Sequence, residues 1–334
     1  MDLLNALVAF TNFVLVPGLT YGSQLALGAL GVTLIYSVLR FSNFAHGDTM
    51  AFGTVMTILF TWALQSWGIS AGPLPTALLA LPLGIAATAL MALGTDRLVY
   101  RFYRRQKAKP IILMIASVGV MFVMNGLVRM ILGTREVKFD DGGRFLLAPN
   151  DFKALTGLAE PLAIRATQAI SVLVAVICVI ALFWFLGRTR TGKSMRAFSD
   201  NEDLALLSGI NPDRVVMLTW IIAAALATIA GTLYGLDKNY RVFVYFGMLL
   251  PIFASAIVGG LGSPVGAILG GFVIAFSEIL VTNAWRKILG YLMPGDWLGD
   301  GLWQALSTDY KVAVSFVILI IVLLVRPNGI MGGK

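Results

Sequence analysis

Residues 187 to 194 read GRTRTGKS, which fits G-x-x-x-x-G-K-[ST], the loop that wraps nucleotide phosphates, from Gly187 through Gly192, Lys193 and Ser194. That chemistry needs a buried strand delivering a glycine-rich turn whose N–H groups surround the phosphates at a helix N-terminus. None of that context is present. The preceding AISVLVAVICVIALFWFL is long and apolar enough for a membrane helix, and Arg188, Thr189, Arg190 and Thr191 fill the turn between the glycines. No acid closes a short apolar strand that would hold magnesium; the nearest is Asp237 in LYGLD, at the outer end of a predicted span. The match is read as chance, and the chain is expected to bind neither ATP nor magnesium itself.

Other reactive side chains are sparse. His46 is the one histidine and lies in SNFAHGD with Asn43 and Asp48, and Glu278 interrupts the apolar AFSEILV. An ionisable group inside a span is a functional hypothesis by default, so Asn43, His46, Asp48 and Glu278 are nominated for a translocation path or gate. The plainer alternatives are that Asn43 caps the second span and that Glu278 makes a structural pair. No Ser-His-Asp set, His-Glu-x-x-His pair or paired-carboxylate site is present, so no catalytic residue is nominated. One histidine excludes a His-rich metal site, and Cys178, the one cysteine, excludes an internal disulfide and a cysteine metal cluster.

The elements that must position these residues follow from composition. Of 334 residues 58% are hydrophobic and 13% charged, with a mean hydropathy of +0.85. Soluble domains carry roughly 25% charged residues, so most of this chain must face lipid or itself. The net charge of +8 fits the basic bias of cytoplasmic loops better than nucleic-acid binding. The apolar N-terminus has Asp2 as its only charge before Arg40. It lacks the basic start of a secretory signal, and residues 3–16 are expected to be retained as a short interfacial or partly inserted helix.

Apolar stretches of about 20 residues, enough to cross a bilayer as a helix, fall near 18–40, 44–66, 74–96, 110–132, 164–187, 214–236, 248–262, 264–285 and 310–326. The seventh is short and glycine-rich. The expected fold is therefore all-α: one polytopic membrane domain over 1–334, with about 8 transmembrane helices, some short or broken. Arg97, Arg101, Arg104, Arg105, Lys107 and Lys109 in one loop, and Arg188, Arg190, Lys193 and Arg196 in another, assign both to the cytoplasm. Span parity then puts the tail RPNGIMGGK inside and the loop 133–161 outside. Gly262, Gly266 and Gly270, like Gly231 and Gly235, recur every four residues, which permits close helix packing. The alternative is that a kink at Gly259 and Gly260 breaks the seventh span to line the passage.

Residues 188–213 form a cytoplasmic loop with helix signals of their own. Ser199 and Glu202 have the spacing of a capping box, and Asp200, Glu202 and Asp203 load the first turn with charge that the helix dipole favours. A short helix is expected through Leu204, Ala205, Leu206 and Leu207, ending at Gly209, before Asn211 and Pro212 launch the next span. It either lies on the membrane surface or seats in a groove of a cytoplasmic partner.

Four stretches carry a family resemblance. They are G-K-x-x-R-A at Gly192–Ala197 followed by A-x-x-x-G-I-N at Ala205–Asn211; GSQLALGALGVTLIYSVLRFSNFAHGD at 22–48; AIVGGLGSPVGAILGG at 256–271; and RPNGIMG at 326–332. In order and spacing this set resembles the permeases of ABC importers for branched-chain amino acids, the H-type inner-membrane subunit in particular. Permeases for urea or short-chain amides are similar, and an ATP-independent transporter is the more distant alternative. The resemblance implies a heterodimer with a related permease, two cytoplasmic ATPases that carry ATP and magnesium, and a periplasmic amino-acid-binding protein. It also implies that Gly192, Lys193, Arg196, Ala197, Glu202, Ala205, Gly209, Ile210 and Asn211 belong to a coupling helix that receives ATPase movement. This chain would be a transport subunit of the bacterial cytoplasmic membrane rather than an enzyme.

Overall fold

Hydrocarbon offers no hydrogen-bond partner to a backbone, so apolar runs of this length must satisfy their own N–H and C=O groups as helices. The computed structural model describes residues 2–139, 144–292 and 303–332. Among these, the helices are α1 Asp2–Leu39, α2 His46–Ser66, α3 Ala77–Arg105, α4 Pro110–Leu132, α5 Pro149–Thr156, α6 Ala166–Arg188, α7 Arg190–Asp200, α8 Glu202–Leu207, α9 Pro212–Lys238, α10 Val242–Gly259, α11 Pro264–Thr282, α12 Arg286–Leu292 and α13 Lys311–Val325. One small antiparallel pair, β1 Phe145–Leu147 with β2 Ile164–Arg165, is the strand structure.

Among the described residues, eight segments are long and apolar enough to cross a membrane. The 21-residue α2 is a ninth long helix but a more polar one. Burial explains the difference: α2 lies between α3, α9, α4 and α10, and Thr54, Thr57 and Thr61 on it are enclosed. Each of these threonines returns its hydroxyl to the carbonyl four residues earlier, which satisfies it without a partner helix.

Several boundaries differ from expectation, and α3 continues as helix to Arg105, so Arg97, Arg101, Arg104 and Arg105 extend that span and do not form a loop. The N-terminal residues are not a separate helix, because α1 runs unbroken for 38 residues, about 57 Å at 1.5 Å per residue. Pro17 is accommodated by a π-helical turn at Thr11–Leu15 just before it, a widened turn that absorbs the lost N–H donor. The seventh span is not short at its start, since α10 begins at Val242 and carries Pro251 within it.

The bundle has two distinguishable ends. At one, Arg40 at the end of α1 donates to the Ser199 carbonyl, Arg101 pairs with Asp213 at 3.4 Å, and the tail pairs Ile330 N–H with Val258 O and Met331 N–H with Gly259 O. The two basic segments, at the end of α3 and along α7, and the C-terminal tail therefore share this basic end. At the other end, Asn5 accepts from the N–H groups of Ala159 and Glu160, and Glu160 pairs with Lys287 at 2.9 Å. Burial works against the Glu160 carboxylate, yet the Tyr291 hydroxyl and Lys287 hold it below its ordinary value. The same hydrogen bond pushes Tyr291 up to about 12.

Helix packing rests on small residues, because lipid-immersed helices gain little from hydrophobic association and rely on close van der Waals contact. A Cβ on Gly270 would lie 2.0 Å from the Ser255 carbonyl oxygen, and one on Gly259 2.0 Å from that of Gly266. Both contacts are with backbone, which cannot swing aside. Gly270→Leu is expected to cost at least the roughly 1–3 kcal/mol of core overpacking, read as a lower melting temperature in detergent. Gly119→Leu, at a position with nothing within 4 Å of the added carbon, should leave the melting temperature unchanged.

Candidate functional site

The phosphate-loop match at 187–194 is helix. Thr189 Oγ1 accepts from Gly192 N–H at 3.0 Å and starts α7, so the residues that would wrap a phosphate are the first turn of that helix. Gly192 is required there for packing: its Cβ would fall 2.1 Å from the Phe185 carbonyl oxygen, where α7 turns back on α6.

The next helix also starts differently from expectation. Asn201, rather than Ser199, is the N-cap of α8, its Oδ1 accepting from Leu204 N–H at 3.0 Å. Ser199 is still inside α7, whose last residue is Asp200, so its hydroxyl is not at a helix start. The other end follows the sequence. Gly209 takes φ +78°, its N–H bonds Leu206 O, and Ile210 N–H bonds Ala205 O, both at 3.0 Å. Those two bonds form a Schellman ending. Asn211 then accepts from Arg214 N–H at 3.2 Å to start α9, with Pro212 in the first turn.

This elbow divides the nominated residues in two. Gly192 and Ala205 are buried and Ile210 is half-buried, whereas Lys193, Arg196, Ala197, Glu202, Gly209 and Asn211 are exposed. Ala205 does not share a face with the leucines: it points inward at 3% exposure, while Leu207 is 85% exposed and Leu204 61%. Behind α8 lies a cavity of about 530 Å³ whose lining includes Arg40, Arg105, Lys107, Glu202, Asp203 and Asp213.

Residues 40–46 return into the bundle. The His46 ring lies where a Cβ on Gly31 would be, 2.6 Å from Cε1, and Gly31 is about 12 Å along the helix from Leu39. The second long helix therefore starts at His46, well inside, and not at 44. Asn43 does not cap it, because Ala45 is the N-cap residue and makes no side-chain cap bond. Instead Asn43 Oδ1 accepts from Ala45 N–H at 3.1 Å and from the Tyr100 hydroxyl at 3.2 Å. Phe44 N–H donates to Ser117 Oγ at 3.0 Å. Irregular backbone at this depth is tolerable only when protein groups satisfy it, and here they do.

Tyr100 leads to a network that the motif spacing does not nominate. Its ring stacks on Trp220 at 5.0 Å, and Trp220 Nε1 donates to Asp96 Oδ1 at 2.9 Å. Asp96 also accepts from Arg104 at 2.8 and 3.2 Å. The signal was available, since Asp96 ends an apolar span as an acid, like Glu278. Further along, Asp48 Oδ1 accepts from Asn125 Nδ2 at 2.8 Å. Asp48, Asn125 and Arg129 line a cavity of about 380 Å³ with Phe122, Phe243 and Phe246. Arg129 sits over the Phe243 ring at 4.5 Å.

Asn43, His46 and Asp48 share one segment but face different neighbours, Tyr100, Gly31 and Asn125, and the other path candidates lie elsewhere. Glu278, 1% exposed, accepts from the Ser315 hydroxyl and lines a separate cavity of about 280 Å³ toward the end away from α7 and α8. Gly259 and Gly260 are at the basic end, where Gly260 terminates α10 with φ +107°. They make a helix end packed on the tail, with no kink inside a span. Among the described residues no group of three or more metal-ligating side chains converges.

The comparisons with known proteins agree with this architecture. Residues 14–323 match the family model described as branched-chain amino acid transport system, permease component. The chain is 32% identical to the high-affinity branched-chain amino acid transport system permease protein LivH of Escherichia coli (strain K12), covering 94% of this chain and 93% of that one. It is 30% identical to BraD, the corresponding permease protein of Pseudomonas aeruginosa, over 95% and 94% of the two chains. A more distant similarity, 25% identity over 66% of this chain and 60% of the relative, is to the fructose import permease protein FruG of Bifidobacterium longum. With a family model covering most of its length and membrane helices to match, this chain belongs to the family of permease components of branched-chain amino acid transport systems.

Proposed function

We propose that this chain is one half of the translocation pathway of an ABC importer for leucine, isoleucine and valine, driven by ATPases that dock on the α7–α8 elbow. The carrying observation is the elbow itself. Caps at Thr189, Asn201 and Asn211 and the Schellman ending at Gly209 hold it in one shape, and its leucines face outward at the basic end. A capped, rigid element can pass a push from a partner to α9, which begins three residues after Gly209. The match of relatives along nearly the whole chain supports the substrate class.

Loop charge supports the orientation. The basic end, with Arg97, Arg101, Arg104 and Arg105 on the last turns of α3, belongs in the cytoplasm by the positive-inside rule, which puts the tail inside and the N-terminus outside. The Asp48 cavity opens beside Phe122, Phe243 and Phe246, all exposed apolar rings. A second permease subunit covering that face would complete a passage whose wall is mostly apolar with few charges, suited to branched-chain side chains. A binding protein would deliver substrate at the opposite end.

Two measurements check this. Vesicles containing this chain, a related permease, two ATPases and the cognate binding protein should accumulate radiolabelled leucine only with ATP inside the compartment facing the elbow. Uptake without ATP, or no uptake of any branched-chain amino acid while another substrate is taken up, would refute the assignment. In the same vesicles Leu207→Asp is expected to cut uptake about tenfold or more, the loss of about 1.4 kcal/mol or more of coupling contact, with the melting temperature of the chain unchanged. Ala205→Leu should instead lower the melting temperature, because its side chain points into the bundle. Wild-type uptake by Leu207→Asp would remove the elbow from the docking surface.

A further inference from the structure

The cavity of about 280 Å³ around Glu278 is walled by α1, α6, α9, α10, α11 and α13. It holds two carboxylates and two ammonium groups: Glu278 and Asp237, Lys238 and Lys311. Besides Ser315, Glu278 has the Tyr21 hydroxyl and the Lys311 ammonium beside it, and each carboxylate keeps one oxygen without a donor within hydrogen-bond distance. Glu278 Oε1 accepts from Ser315, and Asp237 Oδ2 lies 3.5 Å from Lys238 Nζ. Glu278 Oε2 and Asp237 Oδ1 are enclosed without a hydrogen-bond donor. A buried carboxylate oxygen left without a donor carries a desolvation penalty, so a site holding two of them is built for a donor that comes and goes.

The balance of charge says which kind. Two acids and two bases give no net charge, so a lone metal cation or a simple anion would meet as much repulsion as attraction. A dipolar ion, with an ammonium and a carboxylate one carbon apart, meets both. Lys311 Nζ lies over the Tyr21 ring at 5.3 Å, close enough to Glu278 for the two charges to attract. The remaining wall is mixed: Tyr21, Gln168 and Tyr234 add polar groups, and Met248 and Pro251 of α10 give it an apolar side. Its volume is at the lower edge of small-molecule sites, roughly 300 Å³ and up, and so suits a small ligand.

We infer that this cavity is a binding site within the permease for the zwitterionic head of an α-amino acid. Glu278 and Asp237 receive the ammonium, and Lys311 and Lys238 the carboxylate. The side chain rests on Met248 and Pro251. The site lies at the end away from the coupling elbow, where substrate would arrive, so this inference rests on the transport function proposed above and adds a recognition step inside the membrane subunit. An aminophospholipid headgroup has the same pairing of ammonium and anion, and the test separates the two.

The test uses the assembled transporter in vesicles of phosphatidylcholine and phosphatidylglycerol, without binding protein, and measures equilibrium binding of radiolabelled leucine. Wild type should bind leucine saturably. Glu278→Gln should weaken that binding about tenfold or more, the size of one lost charge-assisted hydrogen bond. The same variant should bind 4-methylpentanoate, which lacks the ammonium, as wild type does. Lys311→Met should weaken 4-methylpentanoate binding and spare isopentylamine, which lacks the carboxylate. A merely structural Glu278 would not sort ligands by their ammonium group. Basal ATP hydrolysis confirms assembly, and Asp237→Asn carries the same comparison should Glu278→Gln fail to assemble. Leucine uptake by wild type together with equal leucine binding in all variants would overturn the site while leaving the transport function standing. Phosphatidylethanolamine that copurifies with wild type but not with Glu278→Gln, with leucine binding unchanged, would also overturn it. Absence of ATP-driven uptake in wild type would instead count against the transport function.

Discussion

Close approach of helix backbones through glycine is the constraint on which the rest of this structure depends. In lipid a leucine face gains little by meeting another leucine face, so helices hold together by contact distance and by hydrogen bonds made inside protein. Here α10 and α11 meet at Gly259, Gly266 and Gly270, where added carbons would fall within 2.2 Å of facing carbonyl oxygens. On the other side of α11, Gly271 lies against the backbone of Ala26 in α1. With α1, α10 and α11 locked in this way, the Glu278 cavity at one end of them acquires fixed walls, and Gly260 at the other end can turn the chain beneath the tail.

The same economy of space allows residues 40–46 to lie within the bundle without a helix. Phe44 N–H finds Ser117, Ala45 N–H finds Asn43, and Asn43 is held by Tyr100. Through Tyr100 and Trp220 this segment touches Asp96 and Arg104 at the basic end. The segment bearing the path candidates is thus packed onto the helices that flank the proposed docking surface. Trp220 of α9 is joined to Asn43 by a stacked ring and a hydrogen bond through Tyr100.

Much of this was legible in the chain. Apolar runs predicted where the membrane helices fall, because hydrocarbon leaves the backbone no other way to satisfy itself, but not every end: α1 starts at Asp2 and not at 18, and α3 runs on to Arg105 and not to 96. The elbow was legible in part. Gly209 and Asn211 act as their types suggest, whereas Ser199 lost the capping position to Asn201, two residues on. Both types cap helices well, and the choice came from α7 running to Asp200, which its helical neighbours decided. The P-loop match failed for the reason its flanks suggested: Gly192 is there to let α7 lie on α6. Asp96 was missed because it stands beside a run of basic residues that reads as a loop, where an acid is taken for a solvated charge, whereas α3 carries it and the arginines in helix. Its partners Trp220 and Arg104 come from distant or oppositely typed positions.

The sequence by itself determined membrane helices, the basic end, the capped elbow and the family, since each depends on local composition or on short spacing. Tertiary structure decided which charged groups share a cavity. Asp48 and Glu278 looked equivalent in the chain, but Asp48 meets Asn125, and Glu278 meets Ser315 and shares its space with Asp237, Lys238 and Lys311. Those partners lie tens of residues away on other helices. Their convergence follows from how closely glycine lets the helices approach, a property of the packed bundle that no single segment encodes.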